Sequence, residues 1–149
     1  MPILEECGKT DDHEEGIAEI VWCCRKLKGL PHERLGEVIK LTRRLYKRLL
    51  EVTSRNINNG LCEDFALDVI QVMRDAWGFS RIFEVWGEDK MMEETGDEWT
   101  SVEITSHCFI EFRGRYYDSE TPGGVDDWKK LPCFKHDRFI CRGRRVATK

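Results

Sequence analysis

Apolar and polar positions along the chain change period once, and the change divides it into a helical front and a stranded back. Between Asp12 and Lys28, the residues Ile17, Ile20, Val21, Cys24 and Leu27 recur at helical spacing. Asp11 and Glu14 have the form of a capping box, and Gly29 supplies a stop. A second helix is expected from about Pro31, with Leu35, Val38, Leu45, Leu49 and Val52 on one stripe. Its other side carries Arg43, Arg44, Lys47 and Arg48, which read as a solvated face. Residues 53–60, TSRNINNG, have loop composition. A third helix then opens near Cys62, and Phe65, Ala66, Val69, Ile70, Met73 and Trp77 give it a broad apolar face before Gly78.

From there the period becomes two. RIFEVWG at 81–87 and SVEITSHCFIEF at 101–112 read as strands, joined by an acidic surface loop. Arg113 and Gly114 make a tight turn into a returning strand, RYYDSE. TPGGVDDWKKLPCF reads as an irregular loop and RFICR as a last short strand. The expected architecture is α+β: one domain over residues 1–149, helices first, then a small antiparallel sheet.

Composition narrows the function classes. The 149 residues are 40% hydrophobic and 10% aromatic, which suits a globular chain with a real core. No apolar run has membrane-spanning length, and the acidic start lacks the layout of a secretory signal, so a cytoplasmic protein without a membrane partner is expected. The net charge of −4 argues against nucleic acid as a partner. Charge is uneven, with six acids against one lysine over residues 87–99 and a basic C-terminal end. Seven cysteines, at 7, 23, 24, 62, 108, 133 and 141, form no repeated CxxC pattern and read as mostly free thiols. A zinc site from Cys133, His136 and Cys141 would have poor spacing and lack a fourth ligand, so neither metal nor cofactor is expected.

Cys62 changes the picture most. A thiol at a helix N-terminus feels the positive end of the helix dipole and adjacent unpaired N–H groups, and both favour the nucleophilic thiolate. Gly60 just before it allows a tight turn and leaves room for a substrate backbone. A thiolate needs a base, and the base needs an orienter. Of the four histidines, His107 alone falls inside an expected strand. If Arg113-Gly114 is a two-residue turn, Phe112 pairs with Arg115, Phe109 faces Asp118 and His107 faces Glu120. His107 and Asp118 then share a sheet face as diagonal neighbours, with Cys108, Ile110 and Phe112 on the opposite, apolar face. A four-residue loop keeps this register; a three-residue loop would separate the pair. Glu120 is the alternative orienter. Asn56 or Asn59, with the backbone N–H of Cys62, is the candidate oxyanion donor. Asp64 is expected to point away from the thiol or be paired, since an unpaired carboxylate there would raise its pKa.

The pieces NGLCEDFA, SHCFIEFRGRYYDSE and GVDDWKKLPCF, in that order over roughly residues 55–134, resemble the papain-like cysteine hydrolases, and most of all the transglutaminase-like core of small bacterial and phage-type proteins. The resemblance implies a triad of Cys62, His107 and Asp118 and a thioester acyl-enzyme formed on a protein, peptide or small amide substrate. Its members include peptidases, amidases, deamidating enzymes and acyl transferases. Two features depart from it. Asn56 stands where papain-like proteases carry a longer glutamine, and no tryptophan is fixed as the oxyanion donor of transglutaminases, Trp22 and Trp86 being the available ones. Trp128 would wall a subsite or pack the core. The competing class is a non-catalytic binding or inhibitory protein on the same fold, with the acidic segment and basic end as contact surfaces.

Overall fold

The computed structural model describes residues 12–28, 33–78, 83–101, 107–135 and 139–141. Four helices come first: α1 (His13–Arg25), α2 (Leu35–Leu50), the single turn α3 (Ser54–Ile57) and α4 (Cys62–Trp77). β1 (Phe83–Trp86), α5 (Glu88–Thr95), β2 (Trp99–Ser101), β3 (Phe109–Phe112), β4 (Arg115–Asp118) and β5 (Thr121–Val125) follow. A 3₁₀ turn at Trp128–Lys130, α6 (Pro132–Lys135) and β6 (Phe139–Cys141) complete the described chain. The protein is mixed α+β, with an antiparallel sheet in the order β1-β3-β4-β5 and a separate β2–β6 pair.

Each helix buries the stripe its sequence carries. α1 sinks Ile17, Ile20 and Val21, α2 sinks Leu35, Val38 and Leu45, and α4 sinks Phe65, Ala66, Val69, Ile70 and Met73. These residues, with Phe83, Ile110, Phe112 and Tyr117, form one apolar core in which α1, α2 and α4 pack together. α4 also packs on β1 and β3, and α2 on β5. The α2–β5 approach is close enough that a Cβ on Gly36 would lie 2.7 Å from the Pro122 carbonyl oxygen. A second cluster of Trp86, Met91, Phe109, Trp128, Leu131 and Cys133 fills the far side of the sheet. Phe109 and Ile110 are adjacent yet both buried, so β3 is covered on both faces and needs no polar alternation.

The β3–β4 hairpin has the expected register, with Phe112 opposite Arg115 and Ile110 opposite Tyr117. Arg113 and Gly114 both have positive φ, 53° and 77°, as the type I′ turn of a two-residue hairpin requires.

Several expectations are corrected. The cap of α1 is Asp12, whose side chain accepts from Glu15 N–H at 3.0 Å; Asp11 lies outside the described residues, as does the Pro31 start of the second helix. The 53–60 loop contains α3, capped by Thr53. The acidic segment is α5 followed by β2 rather than a loop: Met91 is fully buried, and the side chain of Thr95 bonds back to the Met91 carbonyl at 2.9 Å. Met91 and Thr95, one helical turn apart, anchor the segment, and Asp97 is buried beside them, its N–H bonded to Thr95 Oγ1 at 3.1 Å. The stretch after Glu120 is likewise ordered, as β5, the 3₁₀ turn and α6. His107 and Cys108 precede β3 rather than lying in it, and residues 102–106 of the expected strand are outside the described set. The last strand is present as β6. Cys23 and Cys24 are both buried, and Cys23 is disulfide-bonded, whereas Cys24, Cys62, Cys108, Cys133 and Cys141 are free. Among the described residues, no helix is long and apolar enough to cross a membrane.

Candidate active site

Cys62 opens α4, and the N-cap residue Leu61 offers that end no side-chain cap. Gly60, at φ 137°, turns the chain between α3 and α4. Because α4 packs on β3, its first turn meets the extended segment that leads into that strand. There the Cys108 backbone N–H donates to Cys62 Sγ at 3.2 Å. The Cys62 thiol is held down to about 4. The largest cause is a hydrogen bond from the Cys108 thiol; burial opposes it, and the imidazole of His107 lowers the pKa further by hydrogen bonding and charge. Cys108 is pushed the opposite way, chiefly by that same bond to Cys62. The same contact thus favours the thiolate at Cys62 and the thiol at Cys108.

His107 is fully buried, with Nε2 3.0 Å from Asp118 Oδ2. A carboxylate only accepts, so Nε2 carries the hydrogen of this bond, and the ring's second nitrogen, Nδ1, is buried. Burial of the ring works against its charge. Asp118, then the sulfurs of Cys133 and Cys62, outweigh burial and raise the imidazole well above its usual value. The ring stacks on Phe109 and meets Phe134 edge-on, which fixes its plane.

Asp118 is itself held. Its Oδ1 accepts the Glu120 backbone N–H at 3.0 Å, and its Oδ2 also accepts from Asn58 Nδ2 at 3.4 Å. Asn58 donates to Glu120 Oε2 as well, at 2.9 Å. Ser119 Oγ lies 2.6 Å from the Ser54 carbonyl oxygen and 3.0 Å from Asn58 Oδ1, two acceptors for its one proton. Arg43 reaches from α2 to the Ser119 carbonyl at 3.0 Å, so one residue of the expected solvated basic face works as a tether. The β4–β5 turn at Ser119–Glu120 is thereby pinned to α2 and α3.

The structure thus brings Cys62, His107 and Asp118 together. Glu120 does not face His107 across a strand pair. Asp118 pairs with Thr121, so β4 ends at Asp118 and Glu120 sits in a turn, where its carboxylate holds Asn58. Asn56 is exposed, its backbone N–H donating to Thr53 Oγ1 at 3.3 Å, and Asn59 is half-buried; the asparagine whose side chain bonds to Asp118 is a different one. That residue is Asn58, at the C-cap of α3. Composition gave no signal for it, because every residue of NINNG suits a turn. Asp64 is exposed, as expected. Trp22 is exposed, and the Trp86 indole N–H is committed to Glu111 Oε1 at 3.2 Å. Trp128 is buried between Trp86, Trp99, Phe109 and Phe134 and so packs the cluster behind His107 rather than walling a subsite. Cys108, expected on an oily back, instead donates to Cys62.

Cys133 is the other residue the sequence did not place. Its sulfur and one donor atom each of His107 and Asp118 lie within 4.8 Å of one another, a set of donor types that could hold a zinc-like cation. This differs from the imagined Cys133, His136 and Cys141 site; His136 is outside the described residues. Cys133 is fully buried among aromatic side chains, whereas Cys62 heads a helix with N–H groups beside it, so only Cys62 has the surroundings of a nucleophile.

A scan against protein-family models and searches of curated proteins and of solved structures gave no match.

Proposed function

We propose that this chain is a cysteine-dependent hydrolase or acyl transferase acting on an amide or ester bond, on a papain-like or transglutaminase-like core. One observation carries the reading: a single imidazole sits between a pinned carboxylate and the sulfur of a helix-opening cysteine whose pKa is lowered to about 4. In this reading Cys62 Sγ attacks the carbonyl carbon, and the leaving amine or alkoxide takes its proton from His107. His107 then removes a proton from water or an acceptor amine, which cleaves the thioester and restores the thiolate. Asp118 fixes the tautomer that leaves Nδ1 toward sulfur and stabilises the charged ring. The backbone N–H groups at the start of α4, where Leu61 supplies no side-chain cap, are the oxyanion donors in this reading.

Trapping of the acyl intermediate tests this. Brief treatment with an activated ester such as p-nitrophenyl acetate, quenched in acid and digested with trypsin, should place the acetyl group on the peptide 56–74, which holds Cys62. His107→Ala should reduce that adduct by about 10²- to 10⁴-fold. Acetyl spread evenly over the other cysteine peptides would overturn the proposal.

A second reading is supported by the closure of the site: Cys62 is 5% exposed and His107 is 0% exposed. In a non-catalytic binding protein the same residues would be a buried polar strut. The trapping experiment separates the two, because a strut gives no adduct at Cys62.

A further inference from the structure

The geometry points to Cys62 and Cys108 as a peroxide-responsive dithiol that closes reversibly to a disulfide. The bond itself does not depend on acyl chemistry; only its consequence, a masked nucleophile, rests on the function proposed above.

The two residues are 46 apart in sequence, and the fold brings them into contact. Cys62 Sγ accepts the backbone N–H of Cys108 at 3.2 Å, which puts that sulfur against an atom two bonds from the Cys108 Cβ. The side chains meet as well, since the thiol of Cys108 donates to the sulfur of Cys62. Both cysteines are free. Cys108 is part-exposed, so it opens the pair to a small oxidant, while Cys62 is the better nucleophile. Cys108 directly precedes β3 and lies outside any helix.

The step balances with a hydroperoxide as the oxidant. The Cys62 thiolate attacks the O–O bond; an S–O bond forms, and the departing hydroxide or alkoxide takes a proton, leaving a sulfenic acid. The Cys108 sulfur then attacks that sulfur. The S–S bond forms, the S–O bond breaks, and water leaves with the Cys108 proton. Two electrons pass from the thiol pair to the peroxide. The local electrostatics favour this order. The Cys108 thiol is held protonated mainly by its bond to the Cys62 thiolate and then by burial and the Cys62 charge. A neutral sulfenic acid removes both influences of Cys62 and leaves burial and the charges of Glu63 and Glu88, so the resolving thiol is held less strongly after the first step. A dithiol reductant reverses the sequence by exchange.

Mass mapping of the intact protein decides it. After about one equivalent of hydrogen peroxide and acid alkylation, a non-reducing tryptic digest should contain peptide 56–74 joined to peptide 91–113, about 2 Da lighter than the two thiol peptides together. Dithiothreitol should dissolve the linked species and restore alkylation of Cys62. Three outcomes would overturn the assignment: Cys62 ending as sulfinic acid about 32 Da heavier, Cys62 linked to the 131–135 peptide that holds Cys133, or Cys62 still reduced. Cys108→Ser should convert the reversible product to the over-oxidised one, while Cys133→Ser should leave the 56–74 to 91–113 link in place. If Cys108→Ser does not fold, the map of the unaltered protein still decides. An acyl adduct without the crosslink sinks this inference alone; a crosslink without the adduct sinks the acyl-transfer reading alone.

Discussion

The molecule contains two histidine–aspartate pairs with the same contact: His13 Nε2 to Asp68 Oδ2 and His107 Nε2 to Asp118 Oδ2, each 3.0 Å. In the first the side chains are 44% and 17% exposed; in the second they are 0% and 1% exposed. The first pair lines a broad cavity of about 940 Å³ between α1 and α4, whose described lining offers no thiol or hydroxyl. Its carboxylate also accepts the Tyr46 hydroxyl at 2.5 Å, and the Tyr46 pKa is raised first by burial and then by that bond. Asp68 therefore clamps α1 and α2 to α4. The second pair is shut off from solvent and has the sulfurs of Cys133 and Cys62 against its ring. The distance is common to both, so distance does not make a site. Burial, which strengthens the pair by lowering the effective dielectric, and sulfur against the ring set the second pair apart.

The largest expected difference is in how thiols titrate around the buried pair. With its pKa near 4, Cys62 stays a thiolate from pH 8 down to pH 5, and its thiolate fraction falls only as the pH drops through about 4. Its iodoacetamide labelling rate should change less than about twofold over that range, whereas an ordinary thiol slows by roughly a thousandfold. Peptide mapping at a series of pH values measures both. A Cys62 rate that falls in step with the other cysteines would erase the distinction between the two histidine pairs.

Next in size is removal of the buried acid. Asp118→Ala strands a fully buried imidazole and frees Asn58 and the Glu120 N–H from their acceptor. Urea denaturation should show a loss of about 3–5 kcal/mol. Asn58→Ala keeps the His107–Asp118 pair but breaks the tie between α3 and the β4–β5 turn. It should cost about 1–3 kcal/mol and loosen Asp118 enough to lower Cys62 labelling at pH 5. If Asn58→Ala lowered stability while leaving that labelling unchanged, Asn58 would be a strut and not a positioning residue.

What the sequence makes legible follows from which forces are local. The helices α1, α2 and α4 carry their buried stripes in plain order, and the β3–β4 register follows from the two-residue Arg113-Gly114 turn, so His107, Asp118 and Cys62 could be brought together on paper. α5 was hidden because two buried anchors, Met91 and Thr95, are outnumbered by solvated acids in any count of composition. Asn58, Arg43 and Cys133 act through contacts made by tertiary folding, 60, 76 and 26 residues along the chain from their partners Asp118, Ser119 and His107. No periodicity or turn rule reaches across such spans. Strand alternation alone puts Glu120 opposite His107; the turn that ends β4 after Asp118 is fixed by Asn58 and Arg43, the same contacts the sequence conceals.

The smallest effect should come from the open pair. His13→Ala removes a half-exposed imidazole from Asp68 but leaves the carboxylate bonded to Tyr46, so no buried polar atom is orphaned. Water replaces the lost partner, and the salt bridge is screened on its exposed side, so the change in unfolding free energy should stay below about 1 kcal/mol. Tyr46→Phe is the sharper cut in the same cluster, because it takes a bond from a buried phenol packed edge-on against Phe65. The substitution removes the donor alone and leaves Asp68 to His13 and water, so it should cost about 1 kcal/mol. Neither substitution should alter the pH profile of Cys62 labelling, since α1 and the Tyr46 hydroxyl make no bond to the sulfur site among the described residues. A His13→Ala protein that lost acid-range labelling would show the two pairs to be coupled through α4, and equal distances would then have marked equal roles after all.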